Sequence, residues 1–150
     1  MIAINSAFSF PTLTLVWRAE RADTVLEEGP ALRRARLELE GLGANVDDTD
    51  DHKGLRFDSV GRRRGGQAIM FGRVRAQRTG ERIAVTVQAS FLPSLLFAFI
   101  FGMGPALLGL PVLMGIVLGA FVVANAAITA GRLRNVAQSA LSLNPPGRAV

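Results

Sequence analysis

The residues best suited to bind a cation form one short acidic run, Asp47-Asp48-Thr49-Asp50-Asp51-His52. Its carboxylates and its imidazole could supply the several ligand atoms that Ca²⁺ or Mg²⁺ requires. The run lacks the glycine and the distant glutamate of a calcium-binding loop, and it lies between two predicted strands, where polar turn residues are usual. We therefore expect a solvated turn and no metal site.

The chain offers little for covalent or acid–base catalysis. It has no Cys and no Tyr, and His52 is its single histidine. This composition excludes thiolate nucleophiles and zinc–cysteine sites, and it leaves one imidazole for any acid–base chemistry. The glycines around Arg62-Arg63-Arg64 do not form a phosphate-binding loop, because the Lys-Ser/Thr step before a helix is missing. We expect a protein that is not an enzyme and has no cofactor.

The basic residues cluster near an uncharged tract, since no charged residue lies between Arg82 and Arg132. Arg132 and Arg134 directly follow that tract. Arg62, Arg63 and Arg64 lie at a predicted β-hairpin tip, where they could contact lipid phosphates or an acidic partner, or could simply keep the turn soluble. An anionic lipid surface explains the net charge of +5 and the pI near 11.4 better than nucleic acid does.

The uncharged tract predicts two transmembrane helices joined by a short turn. Pro93 to Gly109 would form a helix of about 26 Å, close to the lower limit for a hydrocarbon core of about 30 Å. Pro111 to Gly131 is comfortably long enough. Arginines flank the pair only at its outer ends, which predicts cytoplasmic termini. The turn has no polar side chain, so the alternatives are a helical hairpin that dips into the bilayer and a turn that is buried in a partner protein.

Small residues mark one face of the second predicted span. Gly115 and Gly119 are four residues apart and Ala120 follows them, a spacing that lets two helix backbones approach closely. The partner could be the first helix of the pair or a helix of another subunit. Asn125 needs a hydrogen-bond partner in lipid, and either helix could provide it.

Periodicity predicts a small domain before this tract, with elements in the order β-α-β-β-β-β. Asp23-Thr24 with Glu27 has the pattern of a capping box, which predicts the start of a helix there. Gly29-Pro30 interrupts or restarts this helix, since proline is tolerated in a first turn. The apolar residues that then recur at helical spacing are Leu32, Ala35, Leu39 and Leu42. Gly41 and Gly43 end the helix, because glycine accepts a left-handed conformation. Apolar residues alternate with polar ones in the predicted strands, which lie at 12–17, 44–46, 55–58, 68–76 and 83–89.

Together these patterns predict an α+β fold, namely a small antiparallel sheet with one helix, fused to a two-helix transmembrane hairpin. The expected divisions are a cytoplasmic α+β domain at 1–89, the transmembrane hairpin at 90–131, and a cytoplasmic helix extension with a loose tail at 132–150. Only a few residues join the last strand to the apolar tract, so we expect the domain to be held rigidly at the membrane.

Three short motifs precede the apolar tract: Phe71-Gly72-Arg73-Val74, Thr79-Gly80 and Ile83-Ala84-Val85-Thr86-Val87. With these motifs the chain resembles a loose group of small bacterial membrane proteins of unknown function. In that group, a cytoplasmic module of one helix and a strand meander precedes a two-helix hairpin. The resemblance covers about residues 55–130. It implies a topology only and brings no catalytic residues.

We expect a non-catalytic integral membrane accessory subunit that docks on and stabilises a larger bioenergetic, transport or envelope complex. Its expected location is the bacterial inner membrane, and its expected partners are membrane lipids and other integral membrane subunits, not nucleic acid. The alternative is a stand-alone sensor or adaptor whose cytoplasmic module binds anionic lipid, a small ligand or a soluble protein. An enzyme or a transporter is disfavoured because paired titratable groups are lacking.

Overall fold

The computed structural model describes residues 2–9, 13–22, 26–49, 54–60, 68–109 and 112–142. The α+β class predicted from the sequence is confirmed. The elements are, in chain order, β1 (Ile2–Ser9), β2 (Thr14–Ala22), α1 (Glu28–Gly41), β3 (Asn45–Asp48), β4 (Gly54–Val60), β5 (Ala68–Thr79), β6 (Arg82–Ser90), α2 (Leu92–Leu107) and α3 (Val112–Ala140).

The strands form one antiparallel sheet with the order β1-β2-β6-β5-β4-β3. The predicted meander of β4, β5 and β6 is confirmed, with Val74 paired to Leu55 on one side and to Val87 on the other. These residues share one face because side chains alternate along a strand. β1 was not predicted. It pairs with β2 at the edge of the sheet, so that Ile4 lies opposite Ala19.

Helix α1 begins at Glu28 with Glu27 as its N-cap. The predicted start at the Asp23-Thr24 capping box is therefore wrong, and the predicted restart with Pro30 in the first turn is confirmed. Pro30 gives the physical reason. Proline lacks a backbone N–H and fits only the first turn, whereas a helix capped by Thr24 would place it in the second turn. The predicted glycine stop is confirmed, because Gly43 has a φ of +78° just after the helix. Residues 23–25 themselves lie outside the described ranges.

The core lies on one face of the sheet, between the strands, α1 and the C-terminal turns of α3. Helix α1 buries Ala31, Ala35 and Leu39. Helix α3 continues past Gly131, as the helical spacing of its apolar residues predicts. The buried residues of this part are Leu133, Val136, Ala137, Ala140 and, just after the helix, Leu141. The tail beyond residue 142, predicted to be loose, lies outside the described residues.

The two C-terminal helices differ in length. Helix α2 has 16 residues, or about 24 Å. Helix α3 has 29 residues and a mean hydropathy of 2.2 over its most apolar window. In the described part of the chain, α3 alone is long and apolar enough to cross a membrane. The two helices contact each other, and a turn at Leu108–Gly109 follows α2.

Candidate functional site

The exposed apolar side chains are concentrated on α2 and on the N-terminal part of α3, and we call this region the apolar surface. A monomeric soluble protein rarely exposes so large an apolar patch, and such a patch marks a surface that contacts lipid or another protein. Its large side chains are Leu92, Leu95, Leu96, Phe97, Phe99, Ile100, Met103, Leu107, Leu108, Val112, Leu113, Met114, Ile116, Val117, Phe121, Val123 and Ile128.

The four residues predicted to pack helices lie on different sides of α3. Gly115 is buried and Gly119 is half-buried, whereas Ala120 is exposed. Asn125 is half-buried, and its backbone carbonyl accepts a hydrogen bond of 2.8 Å from the Thr129 hydroxyl. The two glycines therefore belong to the covered side of the helix, and Ala120 belongs to the side that is free to approach another molecule.

The predicted lipid-contacting arginines are only partly described. Arg132 is half-buried and Arg134 is exposed, and both lie where the apolar stretch of α3 ends. Arg62, Arg63 and Arg64 lie outside the described residues. The two that are described occupy positions where their guanidinium groups could reach lipid phosphates if the apolar surface were in a membrane.

Two other arginines fix the C-terminal end of α3. Nη1 of Arg21 donates a hydrogen bond of 2.8 Å to the carbonyl of Leu141, and Nη1 of Arg34 donates to the carbonyl of Ser142. Positive groups at this end satisfy helix carbonyls and interact favourably with the helix dipole. These contacts could not be predicted from the sequence, because Arg21 and Leu141 are 120 residues apart and no local pattern signals such a pairing.

The start of α2 is fixed directly to the sheet. The N–H of Phe91 donates a hydrogen bond of 3.0 Å to the carbonyl of Leu13, and the carbonyl of Phe91 accepts one from Leu95. The ring of Phe91 meets the ring of Trp17 edge to face, with 6.4 Å between their centroids. These contacts confirm that no flexible linker separates the last strand from the first apolar helix.

A cavity of about 380 Å³ lies where α2 and α3 meet the sheet, and we call it the junction cavity. Its lining is almost entirely apolar, and its exposed members Leu95, Val123 and Ala127 also border the apolar surface. The lining residues are Leu15, Phe91, Ser94, Leu95, Val123, Ala126, Ala127 and Ala130.

A second, polar depression of about 430 Å³ lies mainly on the sheet face opposite the core, and we call it the outer groove. Arg56 and Arg73 are directly opposite each other on β4 and β5, an arrangement of like charges that costs stability. Within the described residues neither forms an ion pair. The lining residues are Thr14, Asn45, Asp47, Arg56, Phe57, Asp58, Phe71, Gly72, Arg73, Gln88 and Ser90.

The acidic run does not assemble a metal centre in the described residues. Asp47 lines the outer groove, while Asp48 forms an ion pair of 3.3 Å with Arg36. No group of three His, Cys, Asp or Glu side chains that could hold a metal ion occurs in the described ranges. Asp50, Asp51 and His52 lie outside them.

No family model and no curated protein matches the chain. The solved structures that are similar include the solution NMR structure of CalU16 from Micromonospora echinospora, with a TM-score of 0.41, 13% identity, and coverage of 80% of this chain and 74% of that one. The crystal structure of the same protein gives a TM-score of 0.36 and 12% identity, and the match covers 95% of this chain and 98% of that one. The resemblance to small bacterial membrane proteins therefore stays a prediction.

Proposed function

We propose that this chain is a membrane-anchored, non-catalytic accessory subunit. In this proposal α2 and α3 enter the bacterial inner membrane as a helical hairpin, and the sheet domain lies on the cytoplasmic side. The subunit docks on other integral membrane proteins and stabilises their complex. One observation carries the proposal: α3 is a single helix that belongs both to the apolar surface and to the core of the sheet domain.

The continuity of α3 supports rigid anchoring. Its residues 112–130 carry much of the apolar surface and extend about 28 Å as a helix, close to the thickness of a hydrocarbon core of about 30 Å. Ten residues further along, Ala140 is fully buried against the sheet. The contacts of Phe91 hold the start of α2 against the sheet. An anchor of this kind fixes the height and orientation of the domain above the bilayer, as docking on a fixed neighbour requires.

The charge distribution supports the cytoplasmic side. Arg132 and Arg134 follow the apolar part of α3, and the nearest charged residue before α2 is Arg82, the first residue of β6, whereas the described turn between the helices has no charge. Positive residues near membrane segments favour the cytoplasm. Helix α2, at about 24 Å, is short for a full crossing, so a pair that dips into the membrane is consistent with the same orientation.

Docking on another subunit is supported by the side of α3 that its own chain leaves uncovered. Ala120 is exposed, next to the exposed side chain of Phe121. A small side chain at this exposed position lets a neighbouring helix approach closely. Gly115 is unavailable for this contact because it is buried within the chain.

Single cysteines test the orientation, since the natural sequence has none. Gln138→Cys places a thiol on the exposed side of α3 beside the sheet domain, and Leu108→Cys places one in the turn. We expect a membrane-impermeant thiol reagent to label the first only after the inner membrane is opened. Labelling of the second from outside indicates a full crossing, and its protection from both sides indicates a dip. Labelling of Gln138→Cys in intact spheroplasts would contradict the orientation.

Extraction in mild detergent tests the docking role. We expect the tagged chain to migrate on a native gel within a larger complex at fixed stoichiometry, and mass spectrometry then identifies the partner. Migration near 16 kDa plus the detergent mass would contradict the accessory role.

A second candidate, a stand-alone sensor or adaptor, is favoured by the outer groove. Arg56 and Arg73, which form no ion pair within the described ranges, could bind the phosphate of an anionic lipid or of a soluble ligand, and the exposed ring of Phe71 lies beside them. This candidate gains support if the chain migrates alone and binds vesicles containing anionic lipid more tightly than uncharged ones. It fails if substitution of both arginines by glutamine leaves that preference unchanged.

A further inference from the structure

We infer that the junction cavity holds one acyl chain of a membrane lipid. The inference rests on the proposed membrane location of α2 and α3, and it adds a binding site and a ligand class to it. The site lies between the first turn of α2, the middle of α3 and the start of β2, whose contributions include Ser94, Ala126 and Leu15.

The position of the cavity along α3 sets its depth in a bilayer. Its residues on that helix run from Val123 to Ala130, a length of about 10 Å along the axis. The first charged residue, Arg132, follows two positions later. The cavity therefore lies at the end of the apolar stretch nearest the sheet domain, just inside the level at which lipid headgroups begin. The start of an acyl chain lies at this depth.

The chemistry of the lining suits a hydrocarbon and not water. A buried water needs two to four hydrogen-bonding partners. Ser94 is the single polar side chain of the lining, and it is buried and already has an interaction partner. The nearby Thr129 hydroxyl is used by the carbonyl of Asn125. An apolar occupant fills such a space without losing hydrogen bonds, because its transfer from water is favourable.

The size of the cavity fits an acyl chain and not a helix. Leu95 and Val123, at the mouth, are 42% and 49% exposed and belong to the apolar surface, so a lipid that covers this surface is in direct contact with the cavity. The interior is bounded by alanines of α3, whose small side chains create the space. A helix with its side chains is about 10 Å across or more, so a single turn of it needs roughly 400 Å³, which already exceeds the cavity volume of about 380 Å³.

The protein contains its own reporter for this site. Trp17 is the single tryptophan of the chain, and its ring contacts Phe91, which lines the cavity. Trp17 itself is 5% exposed, so lipids outside the protein do not reach its ring. Bromine atoms on an acyl chain quench tryptophan fluorescence at short range, and a chain inside the cavity would bring them close to Trp17.

The experiment reconstitutes the full chain into vesicles of phosphatidylcholine with brominated chains and, in parallel, with unbrominated chains. We expect the brominated lipid to quench Trp17. Ala127→Phe places a ring at the mouth of the cavity and should abolish most of this quenching. Ala124→Phe is the matched control: it is the same substitution, at another exposed position of α3 that does not line the cavity, and it should keep the quenching.

Flotation of the vesicles separates this inference from the proposal on which it rests. A wild-type chain that floats with the vesicles but is not quenched overturns the lipid site and leaves the membrane anchor intact. Equal quenching in both phenylalanine variants also overturns the site. A chain that does not float overturns both. A series of lipids that are brominated at different positions of the acyl chain can be tested with the wild-type protein and needs no variant. Quenching that does not depend on the bromine position would count against an acyl chain that is held in one place.

Discussion

Replacing Gly72 by alanine tests the packing between the sheet and its core at its tightest point. Gly72 lies on β5 opposite Phe57 of β4. A Cβ atom at this position would overlap two ring carbons of Phe57 and the backbone carbonyl oxygen of Gln88. Phe57 is buried, with 3% of its surface exposed, so its ring has no free space to enter. The carbonyl belongs to β6 and moves only if the strand moves.

The expected loss follows from that geometry. Overpacking a core costs about 1–3 kcal/mol, and occasionally more. Because part of the overlap is with backbone, we expect Gly72→Ala to lower the free energy of unfolding by about 3 kcal/mol, the upper end of that range. For a chain of this size the melting temperature should fall by about 6–12 °C. Gly131→Ala is the matched control. Its Cβ meets nothing within 4 Å, and inside helix α3 it should stabilise the protein by about 0.5–1 kcal/mol.

Thermal unfolding in detergent micelles, followed by the fluorescence of Trp17, measures both variants. Phe57→Leu in the Gly72→Ala background removes the ring atoms from the overlap. The double variant should therefore be more stable than the sum of the two single changes predicts. A Gly72→Ala protein that melts at or above the wild-type temperature would show that Phe57 does not cover Gly72 and that the register between β4 and β5 is wrong.

Three further substitutions test the placement of α3. Arg21→Met removes the hydrogen bond to the Leu141 carbonyl and should cost about 1.5–3 kcal/mol, with faster hydrogen exchange in the last turn of α3; unchanged exchange there would contradict this role. Gly115→Leu should lower the melting temperature because it overpacks the covered side of α3 at about 1–3 kcal/mol, whereas Ala120→Leu should leave melting unchanged and weaken co-migration with the larger complex. The reverse pattern would mean that the two sides of α3 are wrongly assigned.

The local elements could be predicted wherever one periodic pattern was continuous. Val85 and Val87 alternate with polar or small residues along β6, and both are fully buried, as period two requires for a sheet with one covered face. In α1, Ala35 and Leu39 are one turn apart and both are buried. Each of these patterns depends on neighbours within a few residues, so the sequence contains all that is needed to recognise it.

The pairing between distant segments could not be predicted. β2 lies beside β6, with Trp17 opposite Val87, and nothing near either residue in the sequence specifies the other. The edge strand β1 was missed because Asn5, Ser6 and Ser9 interrupt its apolar character. An edge strand contacts a neighbour on one side only, so it tolerates polar residues that would weaken a strand signal in the middle of a sheet.

The candidate sites also differ in whether they could be predicted from the sequence. The apolar surface was evident from composition, since a long uncharged tract is visible in any window of the sequence. The junction cavity was not, because Leu15, Phe91 and Val123 come from three segments far apart in the chain. The outer groove likewise depends on the register that places Arg56 opposite Arg73.

The position of the last turns of α3 in the core has a consequence for biosynthesis. All strands of the sheet leave the ribosome before α3 does, but the sheet lacks part of its apolar partner until Leu133, Val136 and Ala140 have been synthesised. Those residues come after the segment that we propose to enter the membrane. The domain therefore completes its core only after the last turns of α3 have left the ribosome, and a chain that ends before Leu133 keeps an uncovered sheet face of the kind that makes incomplete chains prone to aggregation.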